Sequence, residues 1–178
     1  MGEQAPRVFL FLLLVAFGPM LLEARRSRGN ERALRAAGAV EPADDVYPLM
    51  QVVYPACFLA MIGEAWVTGS RPPHPLGSAI FVAGKALKYW AIHTLGSRWT
   101  FRVLVPPNSS RTLAGPYRFL RHPNYVGIVG ELVGFALLAR APATGTVALL
   151  AFGALMLARI RVEERALGLR AGDRISSS

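Results

Sequence analysis

Residues 115–131 read GPYRFLRHPNYVGIVGE, with two arginines, a histidine and two tyrosines crowded against the start of an apolar run. Further on, residues 161–167 read RVEERAL and carry the paired acids Glu163 and Glu164. A residue that precedes proline is pushed out of helical geometry, whereas proline itself suits a first helical turn. His122 therefore ends a loop and Pro123 opens a helix. A helix N-terminus offers free N–H groups and partial positive charge to an anion. Arg118, Arg121 and His122 add side-chain donors. With two carboxylates nearby, this set can hold a zwitterion: cations and N–H groups for its carboxylate, glutamate for its ammonium. A sulfonium would gain further from an aromatic face such as Tyr125. Gly127 and Gly130 bare one face of the helix for close approach, whether by a ligand or by another helix.

The elements that position these residues follow from hydropathy. The chain has 178 residues, enough for one domain. It is 53% hydrophobic with 17% charged residues, against about 25% charged in an average soluble domain. Mean hydropathy is +0.35. Apolar runs occupy residues 8–22, 47–67, 76–95 and 126–158. The first is short for a span of about 20 residues, but no small-residue cleavage site follows it, so a retained span is expected. The last is too long for one span and is broken by RAPA at residues 140–143, which predicts a tight turn between two helices. The expected fold is all-α: an integral membrane protein of about five transmembrane helices, the last two forming a helical hairpin. Residues 29–45 are expected to form a solvated connector, as a short surface helix or loop, and residues 168–178 a disordered tail.

The net charge of +9 would suit nucleic acid, but its distribution argues for membrane topology instead. Five arginines follow each of the first, third and fifth spans, while the remaining loops hold only Arg7, Arg71 and Arg140. Under the positive-inside rule the rich segments are cytoplasmic, the N-terminus lies outside and the C-terminus inside. No nucleic-acid partner is expected. Cys57 is the single cysteine and no CxxC or HxxxH spacing occurs, so no metal site is expected.

Pairing the hairpin arms about residues 141–142 brings Glu163 and Glu164 level with Leu120 and Phe119, beside RHPNY. Adjacent helical residues point about 100° apart, so one of the two turns inward more than the other. Read alone, the pair also fits an exposed helix end bonded to Arg161 and Arg165. Glu131 lies inside the fourth span, about 9 Å beyond Tyr125. An acid at that depth is a functional candidate, here a general base, with structural pairing to Lys85, Lys88 or Arg98 as the alternative. Arg98, with Trp99 and Arg102, either clamps an acidic headgroup or anchors the interface.

GPYRFLRHPNYVG followed by RVEERAL resembles the isoprenylcysteine carboxyl methyltransferase and phospholipid methyltransferase superfamily of membrane enzymes. LGSRWTFRV, residues 95–103, resembles its bacterial branch, which includes O-methyltransferases of alkylpyrones and alkylresorcinols. The resemblance covers roughly residues 76–167. It implies S-adenosylmethionine as cofactor, bound by Arg121, His122, Pro123, Tyr125, Gly127, Glu163 and Glu164. It also implies a lipidic or prenylated acceptor in a bacterial inner membrane, while Glu131 and Arg98 are catalytic candidates from the placement of their charges alone. Methyl transfer from a sulfonium is an in-line displacement, which asks the protein to align two substrates and exclude water. A site at the membrane mouth meets a soluble cofactor from one side and a lipid from the other. Three other readings remain open: headgroup N-methylation, an NADPH-dependent reductase sharing RHPxY, and a non-catalytic membrane protein. The reductase needs more cytoplasmic surface than this chain offers, and paired acids would repel a dinucleotide's phosphates.

Overall fold

Each apolar run folds as a helix in the computed structural model, which describes residues 4–69, 71–106 and 112–166. The helices are α1 (Gln4–Ala36), α2 (Tyr47–Val67), α3 (Pro75–Leu95), α4 (Pro123–Leu138) and α5 (Pro142–Ala166). The described residues contain no named strand; one antiparallel bridge joins Val40 and Val105. The expected tail lies outside the described residues. Proline opens α3, α4 and α5, where its missing N–H costs nothing. Three helices, α1, α2 and α5, are long and apolar enough to cross a membrane. α4 is apolar but has 16 residues, about 24 Å, and α3 carries Lys85 and Lys88. The protein is an all-α membrane protein.

The first helix corrects the expectation of a short span followed by a connector. α1 continues unbroken for 33 residues, about 50 Å, through the arginine-rich segment. Residues 23–36 contain no proline and include a one-turn Ser27 to Glu31 hydrogen bond of 2.5 Å. α1 ends where Gly38, at φ 83°, closes the last turn: Ala39 N–H bonds Leu34 O and Gly38 N–H bonds Arg35 O. The same paired closure ends α4, with Ala141 to Ala136 and Arg140 to Leu137, and Arg140 adopts φ 54°. That is the expected hairpin turn. The acid of Glu64 caps the start of α5, accepting from the Thr144 N–H at 2.7 Å and the Ala143 N–H at 3.2 Å.

α3 and α4 form the tightest pair because glycines remove the side chains between them. A methyl at Gly84 would stand 2.8 Å from the Glu131 nitrogen, and one at Gly127 would stand 2.9 Å from Lys88 Cβ. Such small-residue contact is how membrane helices gain packing without a hydrophobic drive. Phe58, Phe135, Met61 and Leu132 fill the core beside this seam, while Leu14, Leu22, Val82, Trp90 and Leu150 project outward. The outward face suits lipid.

Candidate functional site

The ends of the five helices that carry the arginine-rich segments surround a cavity of about 550 Å³. Its mouth is polar. His122 and Asn124 at the start of α4, Arg159 and Glu163 at the end of α5, and Arg98 and Arg102 of the loop after α3 all line it. Its deeper part is apolar, with Phe17, Met20, Met50, Pro55, Ile128 and Phe152. Leu21 and Val52 line the cavity and are also more than half exposed on the outer surface, so the apolar part opens sideways between α1 and α2.

The hairpin register brings RHPNY and the paired glutamates together. Tyr125 donates its hydroxyl to Glu163 Oε2 at 2.9 Å. Glu164 Oε1 lies 3.2 Å from both Arg121 Nε and His122 Nε2. The two acids therefore diverge as their spacing requires: Glu163 faces the cavity, whereas Glu164 ties the outer rim and does not line it. Arg121 is also on that rim, 46% exposed at its side chain. Pro123 is buried as the first residue of α4. Gly127 packs against Lys88 on α3 rather than lining the cavity. Arg98 lines the mouth and donates to Thr112 Oγ1 at 2.6 Å.

Glu131 sits where its depth predicted and takes up the pairing with lysines. Its carboxylate is fully enclosed, 2.8 Å from Lys85 Nζ and 3.3 Å from Lys88 Nζ. Glu23 of α1 completes the group, 3.0 Å from Lys85 and 2.6 Å from Lys88. Two acids and two ammonium groups thus meet inside the helix bundle with zero net charge. Glu131 does not itself line the cavity; Tyr54 does, and donates its hydroxyl to Glu131 Oε2 at 2.6 Å.

Several residues of the site escape the sequence motifs. Arg159 is buried and bonds the Tyr125 hydroxyl at 3.2 Å, Asp45 at 2.6 Å and the Phe101 carbonyl. One signal was present, since Arg159 stands one helical turn before Glu163 in an apolar stretch. Asp45, expected in a solvated connector, also accepts from the Val103 N–H at 3.1 Å and the Tyr47 N–H at 3.0 Å. Together with the Val40–Val105 bridge and an Arg102 to Glu41 bond of 2.6 Å, it straps residues 37–46 onto the loop that lines the mouth. Burial, with the charge of Glu163 nearby, pushes the Tyr117 phenol well above its usual range, so it stays a neutral donor in the wall. Cations, an acid and phenols thus converge on one mouth, the donor set a zwitterion needs, above an apolar chamber.

The family model of the isoprenylcysteine carboxyl methyltransferases matches residues 77–168, which spans nearly all of α3, both motifs and the whole of α5. The chain belongs to that family. As an isoprenylcysteine carboxyl methyltransferase family member it is a membrane methyltransferase in the general sense. It is also similar to the uncharacterized protein YpbQ of Bacillus subtilis (strain 168), 29% identical over 162 residues, 90% of this chain and 96% of the relative. An uncharacterized protein of Haemophilus influenzae is 27% identical over 162 residues, 89% of this chain and 92% of the relative. No solved structure matches the chain. The family match begins after α1 and α2, yet those helices supply Glu23, Tyr54 and the sideways opening.

Proposed function

We propose that this protein is a single-domain, S-adenosylmethionine-dependent methyltransferase that methylates an oxygen of a lipidic or prenylated acceptor. The observation that carries the reading is the cavity itself, polar and zwitterion-complementary at its mouth and apolar where it opens toward lipid. When bound, the cofactor supplies an electrophilic methyl group on a sulfonium. Glu163 would hold its ammonium, Arg98 and His122 its carboxylate, and Tyr125 would present an aromatic face to the sulfonium. Asn124 supports the fit, because its buried side-chain oxygen has no hydrogen-bond partner and the residue lines the mouth, where it can accept from a ligand N–H or hydroxyl. Arg159 fixes Tyr125 and, through Asp45, the strap over the mouth. Arg121 and Glu164 brace the start of α4 against the end of α5, and Gly127 lets α4 approach α3. These three shape the cofactor site without lining it.

Binding of labelled S-adenosylmethionine and of NADPH to purified protein tests the assignment. Saturable binding of the first, displaced by its demethylated product, is expected. NADPH binding alone would overturn it in favour of a reductase. We place the arginine-rich end in the cytoplasm of a bacterial inner membrane, with the N-terminus outside. Cys57 is buried and is the single native cysteine, so it gives little background. Leu113→Cys should then be labelled from the cytoplasmic side and Thr146→Cys from the opposite side; the reverse pattern would invert the orientation.

A further inference from the structure

The methyl-transfer reading leaves open where an acceptor's proton goes, and one feature of the cavity wall bears on it. Tyr54 lies on α2 in the apolar part of the cavity, its ring 5.1 Å from Phe58 and 4.8 Å from Phe152. A hydroxyl has one donor and two acceptor positions. The donor is committed to Glu131, because an ionised carboxylate accepts only. Among the described residues no second group donates to the Tyr54 oxygen, and Tyr54 lines the cavity.

Behind Tyr54, Glu131 has an oxygen that can receive a proton. Both oxygens of Glu23 are held by lysines at 3.0 and 2.6 Å. Oε2 of Glu131 is held by Lys85 and Tyr54, but its Oε1 is buried and makes no hydrogen bond, with Lys88 at 3.3 Å. The group of two acids and two lysines is neutral, so it offers a carboxylate acceptor no net attraction. It can take up one proton.

We propose that Tyr54 is a catalytic residue that takes the proton from an acceptor hydroxyl, a phenol or enol, while passing its own proton to Glu131. The inference rests on the methyl-transfer reading and narrows its substrate class. As the acceptor oxygen forms its bond to the methyl carbon, the carbon–sulfur bond breaks and its electron pair stays on sulfur. The acceptor's proton moves to the Tyr54 oxygen, and the Tyr54 proton moves to Glu131. The positive charge lost from sulfur reappears on the neutral group in the wall, so charge is displaced rather than created inside a low-dielectric chamber. Lys88, with its ammonium 5.5 Å over the Tyr54 ring, favours any negative charge passing through the phenol. After product leaves, the proton returns by the same pair to water entering the mouth. Tyr54 and Glu131 lie on different helices, 77 residues apart, and neither belongs to RHPxY or the glutamate pair.

The test uses the full chain in lipid vesicles with 4-dodecylphenol and ring-substituted relatives of increasing acidity as acceptors. Tyr54→Phe keeps the ring packing and removes the hydroxyl. Turnover of the least acidic phenol should fall at least about 100-fold, the scale of a lost general base. The deficit should shrink as the phenol becomes more acidic, because an acceptor already ionised needs no proton taken. S-adenosylmethionine affinity, measured by calorimetry, should stay within about twofold, well under the effect of one lost hydrogen bond to a charged group. A readout independent of turnover is the ring-carbon resonance absent from Tyr54→Phe, which should shift in the parent chain when dodecylphenol is added. An equal deficit at every acidity, turnover within a few-fold of the parent, or phenols that neither react nor shift the resonance would each overturn the proposal. If the parent chain fails to bind S-adenosylmethionine, the methyl-transfer reading falls instead, while a phenol-dependent shift would still support acceptor contact at Tyr54.

Discussion

Glutamate meets cations in two places in this protein, and the two settings differ in what the pairing can do. Inside the bundle, Glu23 and Glu131 face Lys85 and Lys88 with 7% exposure or less at any of the four residues. At the mouth, Glu164 meets Arg121 and His122 at similar distances, but the side chains are 20–46% exposed. Water at the mouth screens each pair and can replace it, so an exposed ion pair contributes little to stability. A ligand can take its place at small cost. In the interior no water replaces a lost partner, and an uncompensated charge is expensive. The inner group therefore locks α1 to α3 and α4, and Glu23, Lys88 and Tyr54 present it to the cavity. The outer one braces the rim, where His122 alone of its three members also lines the mouth. The same residue types do different work because their surroundings differ.

Unbalancing the inner group has the largest expected effect. Glu23→Leu leaves two lysines against one acid and should cost about 3–5 kcal/mol, read as a lowered unfolding temperature in detergent. The double substitution Glu23→Leu/Lys85→Met should recover most of that loss, since an apolar pair can replace a buried ion pair without penalty. No recovery would mean that Glu23 acts other than by charge balance. Next in size, Glu163→Gln should weaken S-adenosylmethionine binding by roughly 10–150-fold with little change in unfolding temperature. Glu164→Gln, on the rim, should weaken it less; the opposite order would reverse the roles given to the two acids. Gly84→Ala sharpens the contrast from the packing side. Its methyl would stand 2.8 Å from the Glu131 nitrogen, and forcing α3 and α4 apart should cost about 1–3 kcal/mol. Smallest of all, Arg121→Ala should change stability by no more than about 1 kcal/mol, as for other exposed pairs. A loss as large as that of Glu23→Leu would remove the distinction between the two regions.

Five helices, the break at Arg140 and the meeting of RHPNY with Glu163 and Glu164 were legible in the sequence. Each rests on local or regular properties: run length, the geometry proline imposes, and the constant rise of two helices joined by a short turn. The extent of α1 was not legible, because apolar content stops at residue 22 while helix propensity continues to residue 36. Only the tertiary structure decided which way side chains turn. It sent Glu163 inward and Glu164 to the rim, turned Gly127 toward α3, and brought Asp45 under Arg159. It also joined Glu23 to Lys85 across 62 residues and Tyr54 to Glu131 across 77. Hydropathy specifies that a segment crosses the membrane and roughly where its ends lie. Rotation about its axis, and hence which charge meets which, depends on how the glycine faces of α3 and α4 pack and on where the neutral group of two acids and two lysines can close.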